Sequence, residues 1–313
     1  MRDQTIALFI LLFFCTTFSY AEALRVGSTM WPGYEPIYLA QEINAYKKNI
    51  RMINYPSNND VLRAFRNKSI EAAALTLDGV VALEESGVAV DIILVLDISE
   101  GADVILAKPE LKNMQGLIGR KVALESSGVE AYTLTRALEL NQIDINKVSL
   151  INIENSSHKE AYLSGLADAV VTYEPIRTQL LNAGAIEVFS SKEIPGEIVD
   201  VLVVHKEFLS SHEDELFDIS QGWFKALKEL KDEPVGSYKF IASRMKISAR
   251  EAKESYYGLS LPSLEKNRKL LSGNPAPLIK TFKRLTQHMK NNHLIAPSFS
   301  SLTTINNQFL PSR

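Results

Sequence analysis

"INYPSNNDVLRAFRNKSIEAAALTLDGVVALEESG" (53–87) and "INIENSSHKEAYLSGLADAVVTYEPIRTQLLNAG" (151–184) partly repeat one another. With one deletion, Ala64 and Phe65 fall on Ala161 and Tyr162, Glu71 and Ala72 on Asp168 and Ala169, and Gly87 on Gly184. The preceding blocks correspond as well. "RVGSTMWPGYEPIYLA" (25–40) and "KVALESSGVEAYTLT" (121–135) each read as a strand, a small-residue turn and a helix. Strand–helix–strand units share such patterning in any case, so chance likeness is the alternative. A genuine repeat means two similar α/β lobes rather than one large sheet.

Outward from the first repeat, apolar β-branched runs alternate with segments of helical period, the pattern of an α/β protein. Strands are expected at 24–28, 50–55, 71–77 and 90–97, and helices at 34–46, 59–68 and 78–87. "LDISEGADVILAKPE" (96–110) and "EIPGEIVDVLVVHKEFL" (193–209) each run from a polar, Gly-containing turn into an apolar strand, as two crossings between lobes would. Lobe 1 is then discontinuous, 22–100 and 200–313, and lobe 2 is 101–199. Helical segments follow 209, with Trp223 and Phe224 on a core face, and the tail from Ile295 reads as an irregular wrap.

The first residues combine an early Arg2, an apolar run from Ile6 to Phe14 and small residues at Ser19 and Ala21. That reads as a secretory leader, residues 1–21, and makes the chain an exported one. Its apolar run is too short to span a bilayer. Cys15, the only cysteine, would leave with it, which removes thiol catalysis and thiolate metal sites from the mature chain of roughly 290 residues. A net charge of −3 with no basic stripe argues against nucleic acid, leaving a small solute or a protein as partner.

Catalytic signatures are missing. The five histidines form no metal-ligand spacing, and there is no nucleophile elbow, phosphate loop or dinucleotide fingerprint. The expectation is a protein that is not an enzyme and holds no cofactor or metal. Polar and aromatic residues do gather where open α/β sheets bind ligands, beyond the carboxyl ends of strands. The candidates are Trp31, Tyr34, Asn58, Asp78 and Asp97 in the first lobe and Ser126, Ser127, Gly128, Tyr173 and Glu174 in the second. Pro32 and Gly33 fit a type II turn that holds Trp31 over a cleft or folds it onto its own lobe. Ser126 and Ser127 suit either an anion seat at a helix start or plain capping. Asp78, Asp97, Asp103, Glu174 and Asp200 form a ring of acids suited to an amine or a protonated heterocycle, although caps or surface acids explain any single one.

Taken in order, "WPGYEPIYLA", "YPSNNDVLRAFRNKSIEAAALTLD", "ISEGADVILAKP", "LIGRKVALESSGVEAY" and "AYLSGLADAVVTYEP" resemble periplasmic solute-binding proteins of the nitrate/taurine/sulfonate type, which are related to binders of thiamine-precursor pyrimidines. The resemblance runs from about residue 24 to the end. It implies a type II periplasmic-binding fold: two α/β lobes on two hinge crossings, closing as a monomer on a solute and delivering it to the permease subunits of an ABC importer. By position it places the binding loops at Trp31 and Tyr34, Asp78, Ser126 to Gly128, and Tyr173 to Glu174. The acids depart from a bare-anion site and favour a zwitterion or an amino-substituted ring. A sensor partner of a membrane receptor shares the fold. So does a pyrimidine-synthase group, but that group relies on cysteine and histidine chemistry.

Overall fold

The computed structural model describes residues 23–126 and 128–312. The expected leader and Ser127 lie outside them. Two sheets organise the chain. The first opens with β1 (Leu24–Ser28), α1 (Glu35–Glu42), β2 (Ile50–Asn54), α2 (Asn58–Arg66), β3 (Ala72–Thr76), α3 (Leu77–Glu85) and β4 (Val90–Ser99). The second follows with β5 (Val104–Ala107), β6 (Lys121–Leu124), α4 (Val129–Leu140), β7 (Ser149–Asn152), α5 (His158–Leu163), β8 (Ala169–Thr172), α6 (Ile176–Asn182) and β9 (Ile186–Ser190). The chain then returns to the first sheet as β10 (Val199–His205).

Strand order explains the repeat. The first sheet contains the run β4-β10-β3-β1-β2 and the second runs β9-β5-β8-β6-β7. In each, three strands pair in parallel, the fourth place is taken by an antiparallel strand arriving from the other lobe, and a fifth strand, β4 or β9, pairs antiparallel to that newcomer. Ala72 opens β3 and Ala169 opens β8, the two residues that the repeat superimposes.

The crossings lie side by side. Ser99 at the end of β4 and Ser191 just after β9 share a 2.7 Å hydroxyl contact, and Ser191 Oγ accepts from the Gly101 N–H at 2.6 Å. Both serines are buried. Gly101 holds φ +121°, and a Cβ there would meet the Lys192 side chain at 2.6 Å, so glycine is required at this bend.

The remaining chain clads the first lobe with α7 (Glu213–Asp232), α8 (Pro234–Met245), α9 (Ala249–Glu254), β11 (Leu259–Ser260), α10 (Leu264–Leu271) and α11 (Pro277–Asn291). Trp223 of α7 is fully buried and Phe224 half-buried. The tail is not wholly irregular: β12 (Thr304–Ile305) adds to β4 in parallel, and Phe309 beyond it is buried. α1 stops at Glu42, short of the expected 46, because the backbone turns at Ile43 and Asn44, the latter at φ +53°.

Candidate functional site

The cleft is built from strand ends. Thr29 follows β1, Asn58 opens α2 beyond β2, and Thr76 closes β3; on the other lobe Val129 opens α4 and Tyr173 follows β8. With Trp31, Tyr34, Asp103 and Asp200 these residues line a space of about 290 Å³, open solvent at its mouth included.

Trp31 reaches the cleft by a route other than the expected turn. Pro32–Tyr34 is a short 3₁₀ turn, and Gly33 does not adopt positive φ. Glycine is needed there for proximity: a Cβ at residue 33 would lie 1.8 Å from Asp97 Oδ2. The close approach lets the indole N–H of Trp31 donate to that same oxygen at 3.0 Å. From the opposite lobe the Tyr173 ring meets the indole edge-on, 5.3 Å between centroids at 86°. Such a pair contributes about 0.5–1.5 kcal/mol beyond area burial, here to the contact between the two lobes.

Asp97 and Asp200 sit directly opposite one another on β4 and β10, beside a register shift at Asp200/Val201. Asp200 also lies opposite Thr76, while Val104, next to Asp103, lies opposite Thr172. Asp200 and Asp103 therefore hold corresponding places on the two incoming strands, facing the same gap. Both are almost wholly buried, as are Asp97 and Asp78.

Burial without a cation sets the protonation of these groups. It pushes Asp97 up to about 7, against donation from the Trp31 N–H and from Asp200. It lifts Asp103 to about 7, although the Ser99 hydroxyl pulls the other way, and Asp78 to about 6. Asp200 is raised well above the ordinary carboxylate range, by burial first and then by the charges of Asp97 and Asp103, so it keeps the proton it donates to Asp97. Burial, followed by the charges of Asp200 and Asp97, likewise holds the Tyr34 phenol protonated, as a donor to Asp200. Asp200 Oδ1 has no hydrogen-bond partner among the described residues. Among the described residues, the cavity wall contains no lysine, arginine or histidine.

The candidates divide. Trp31, Tyr34, Asn58 and Tyr173 line the cavity. Asp97 stands behind Trp31 instead of on the wall, and Asp78 lies off it beside Gly128. Ser126 is exposed and off the wall, its N–H given to Asn152 Oδ1 at 2.9 Å. Gly128 is the residue before α4, at φ +91°. Glu174 does not reach the cleft. Its carboxylate turns back onto its own helix, accepting from the Thr178 hydroxyl at 2.9 Å, the Thr178 N–H at 3.2 Å and Arg177 at 3.2 Å. Thr29 and Val129 carry no sequence signal that marks them as cleft residues.

The model of the NMT1-like family matches residues 19–237, more than half the chain. The chain belongs to the NMT1-like family. It is 22% identical over 200 residues to the taurine-binding periplasmic protein of Escherichia coli K12, across 61% of this chain and 62% of that protein, under two thirds of the relative's length. Its fold is similar to that of the alkanesulfonate-binding protein SsuA from Xanthomonas axonopodis pv. citri bound to MOPS, with TM-score 0.75 and 14% identity over 91% of this chain and 98% of that one. The periplasmic nitrate-binding protein NrtA from Synechocystis PCC 6803 gives 0.71 and 11%, over 88% and 83%. These relatives are binding proteins, not enzymes, and the expected kinship and two-lobed fold hold for this NMT1-like chain.

Proposed function

We infer that this chain captures a small organic solute bearing an amine, whether zwitterionic or an amino-substituted ring, between its lobes in the periplasm and hands it to the permease subunits of an ABC importer. One observation carries the reading: Asp103 and Asp200 line the cleft, buried, Asp97 backs its Trp31 wall, and among the described residues that wall has no cation of its own. A protonated amine supplies the missing positive charge. Each charge-assisted hydrogen bond it makes contributes about 1.5–3 kcal/mol, and the faces of Trp31 and Tyr173 can add cation–π attraction. The lobes, 22–100 with 200–313 and 101–199, then act as jaws on the paired crossings. A ligand touching both jaws favours the closed state, and about 5.5 kcal/mol of differential binding turns a mostly open population mostly closed.

The test is native mass spectrometry of the protein purified from the cell envelope of its source, followed by denaturation to free any retained solute. The expected species is a 1:1 complex whose small molecule carries a basic nitrogen. A retained inorganic anion, or a sulfonate lacking nitrogen, overturns the reading.

A further inference from the structure

The first turns of two helices from opposite lobes face each other, α3 with Asp78 in its first turn and α4 preceded by Gly128. Helix starts carry unpaired N–H groups and the positive end of the dipole, so a gap between two of them favours a negative group. Here that gap already holds one. Asp78 is 3% exposed, and a Cβ placed on Gly128 would lie 3.5 Å from its Oδ2. That oxygen has no hydrogen-bond partner among the described residues. The opposite side of the carboxyl is held by the Thr76 hydroxyl and by its own backbone N–H. A second acid, Glu130, sits in the first turn of α4, with its carboxylate taking the Glu125 N–H and the Asn155 amide. Asp78 does not line the solute cavity, whereas Thr76 and Val129, from the same two turns, do.

We propose that Asp78 is a resident anion: it fills the seat between α3 and α4 that an acidic ligand group would need, so the cleft takes a cation without a sulfonate or carboxylate tail. This rests on the amine reading of the same cleft and narrows it, setting aside zwitterions such as taurine. Asp78 acts as a specificity residue by occupying space and supplying charge, without touching the solute. The negative group travels with lobe 1 and meets α4 only when the lobes close, so it also favours closure when the solute brings no anion.

The experiment compares wild type, Asp78→Asn and Asp78→Ser by calorimetry with three probes: ethanolamine, taurine and ethanesulfonate. The first two are the same amine with a hydroxyl or a sulfonate tail. Wild type is expected to prefer ethanolamine to taurine by at least about tenfold, a difference of about 1.4 kcal/mol, and to show no saturable heat with ethanesulfonate. Asp78→Ser, with the seat emptied, is expected to shift the taurine-to-ethanolamine ratio toward taurine by at least about tenfold and to gain ethanesulfonate binding. Asp78→Asn keeps the side-chain shape and removes only the charge, so it should shift the ratio in the same direction by a smaller factor, and it reports on charge alone if the serine variant melts early. Wild type that binds taurine as well as ethanolamine, or folded variants that leave the ratio unmoved, overturns the proposal. If no form binds either amine, the ethanesulfonate arm still decides the role of Asp78: binding gained only in Asp78→Ser supports the filled seat, and no gain overturns it.

Discussion

Asp97 and Asp200 are register partners on adjacent antiparallel strands, two buried carboxyls placed face to face with a proton between them. Like charges directly opposite on a sheet are destabilising, so the pair is stable only while it keeps that proton or gains a cation. Replacing Asp200 with Asn retains a hydrogen-bond donor toward Asp97 and removes one charge. The ligand-free Asp200→Asn variant should melt above wild type at pH 8. Its affinity for the retained solute should fall about 10- to 100-fold, the equivalent of losing a charge-assisted bond. Scanning calorimetry and titration calorimetry on the same samples check the opposed signs.

The same groups set a pH dependence whose sign can be worked out. Asp78, Asp97 and Asp103 stand near 6, 7 and 7 in the folded protein against an ordinary 3.8, all raised chiefly by burial. The folded state therefore binds more protons than the unfolded chain between about pH 4 and 7. Their contribution to ligand-free stability is fully present below about 3.8 and is lost as pH rises through 6 to 7. A cationic solute displaces those protons. Its affinity should rise from pH 5 to pH 8, and binding near pH 6.5 should release protons. Titrations in buffers of different ionisation heat measure that release, and proton uptake would contradict it.

Trp31 and Trp223 are the two tryptophans of the chain, and Trp223 is fully buried in α7. Solute binding should change tryptophan emission through Trp31, which lines the cleft and donates to Asp97. Trp31→Phe should abolish the emission change. Trp31→Ala, which removes both the wall and the partner of Tyr173, should weaken binding at least about tenfold, a loss of about 1.4 kcal/mol. Both variants should still fold, which circular dichroism checks.

Glu174 should behave differently. Its carboxylate caps α6 through Thr178 and pairs with Arg177. Glu174→Ala should lower stability by about 1–2 kcal/mol, the usual cost of a lost cap, with solute affinity nearly unchanged. Chemical denaturation beside calorimetry separates the two effects.

These contrasts locate what the sequence makes legible. The first three strands stand out because apolar runs such as Ala72–Leu75 are bounded by polar or turn residues, and the repeat carries that signal into the second lobe. The crossings are marked by glycine and serine next to apolar runs, but pairing partners are set by tertiary contacts, so the exchanged places of β5 and β10 are visible only in the sheets. Asp103 and Asp200 stand out as acids bordering apolar strands. Glu174 has the same signature, yet its carboxylate is engaged by Thr178 and Arg177: position after a strand fixes where the Cα lies, whereas a local helix start competes for the side chain. Thr29 and Val129 contribute through placement alone. β12, two residues long, has no periodicity to read.

The most direct test is a crystal structure of the protein carrying the solute that copurifies with it. A basic nitrogen of that molecule should lie within about 2.7–3.2 Å of carboxylate oxygens of Asp200 and Asp103, with Trp31 and Tyr173 against its body. An acidic group of the ligand among those carboxylates, or a solute seated away from them, would contradict the account.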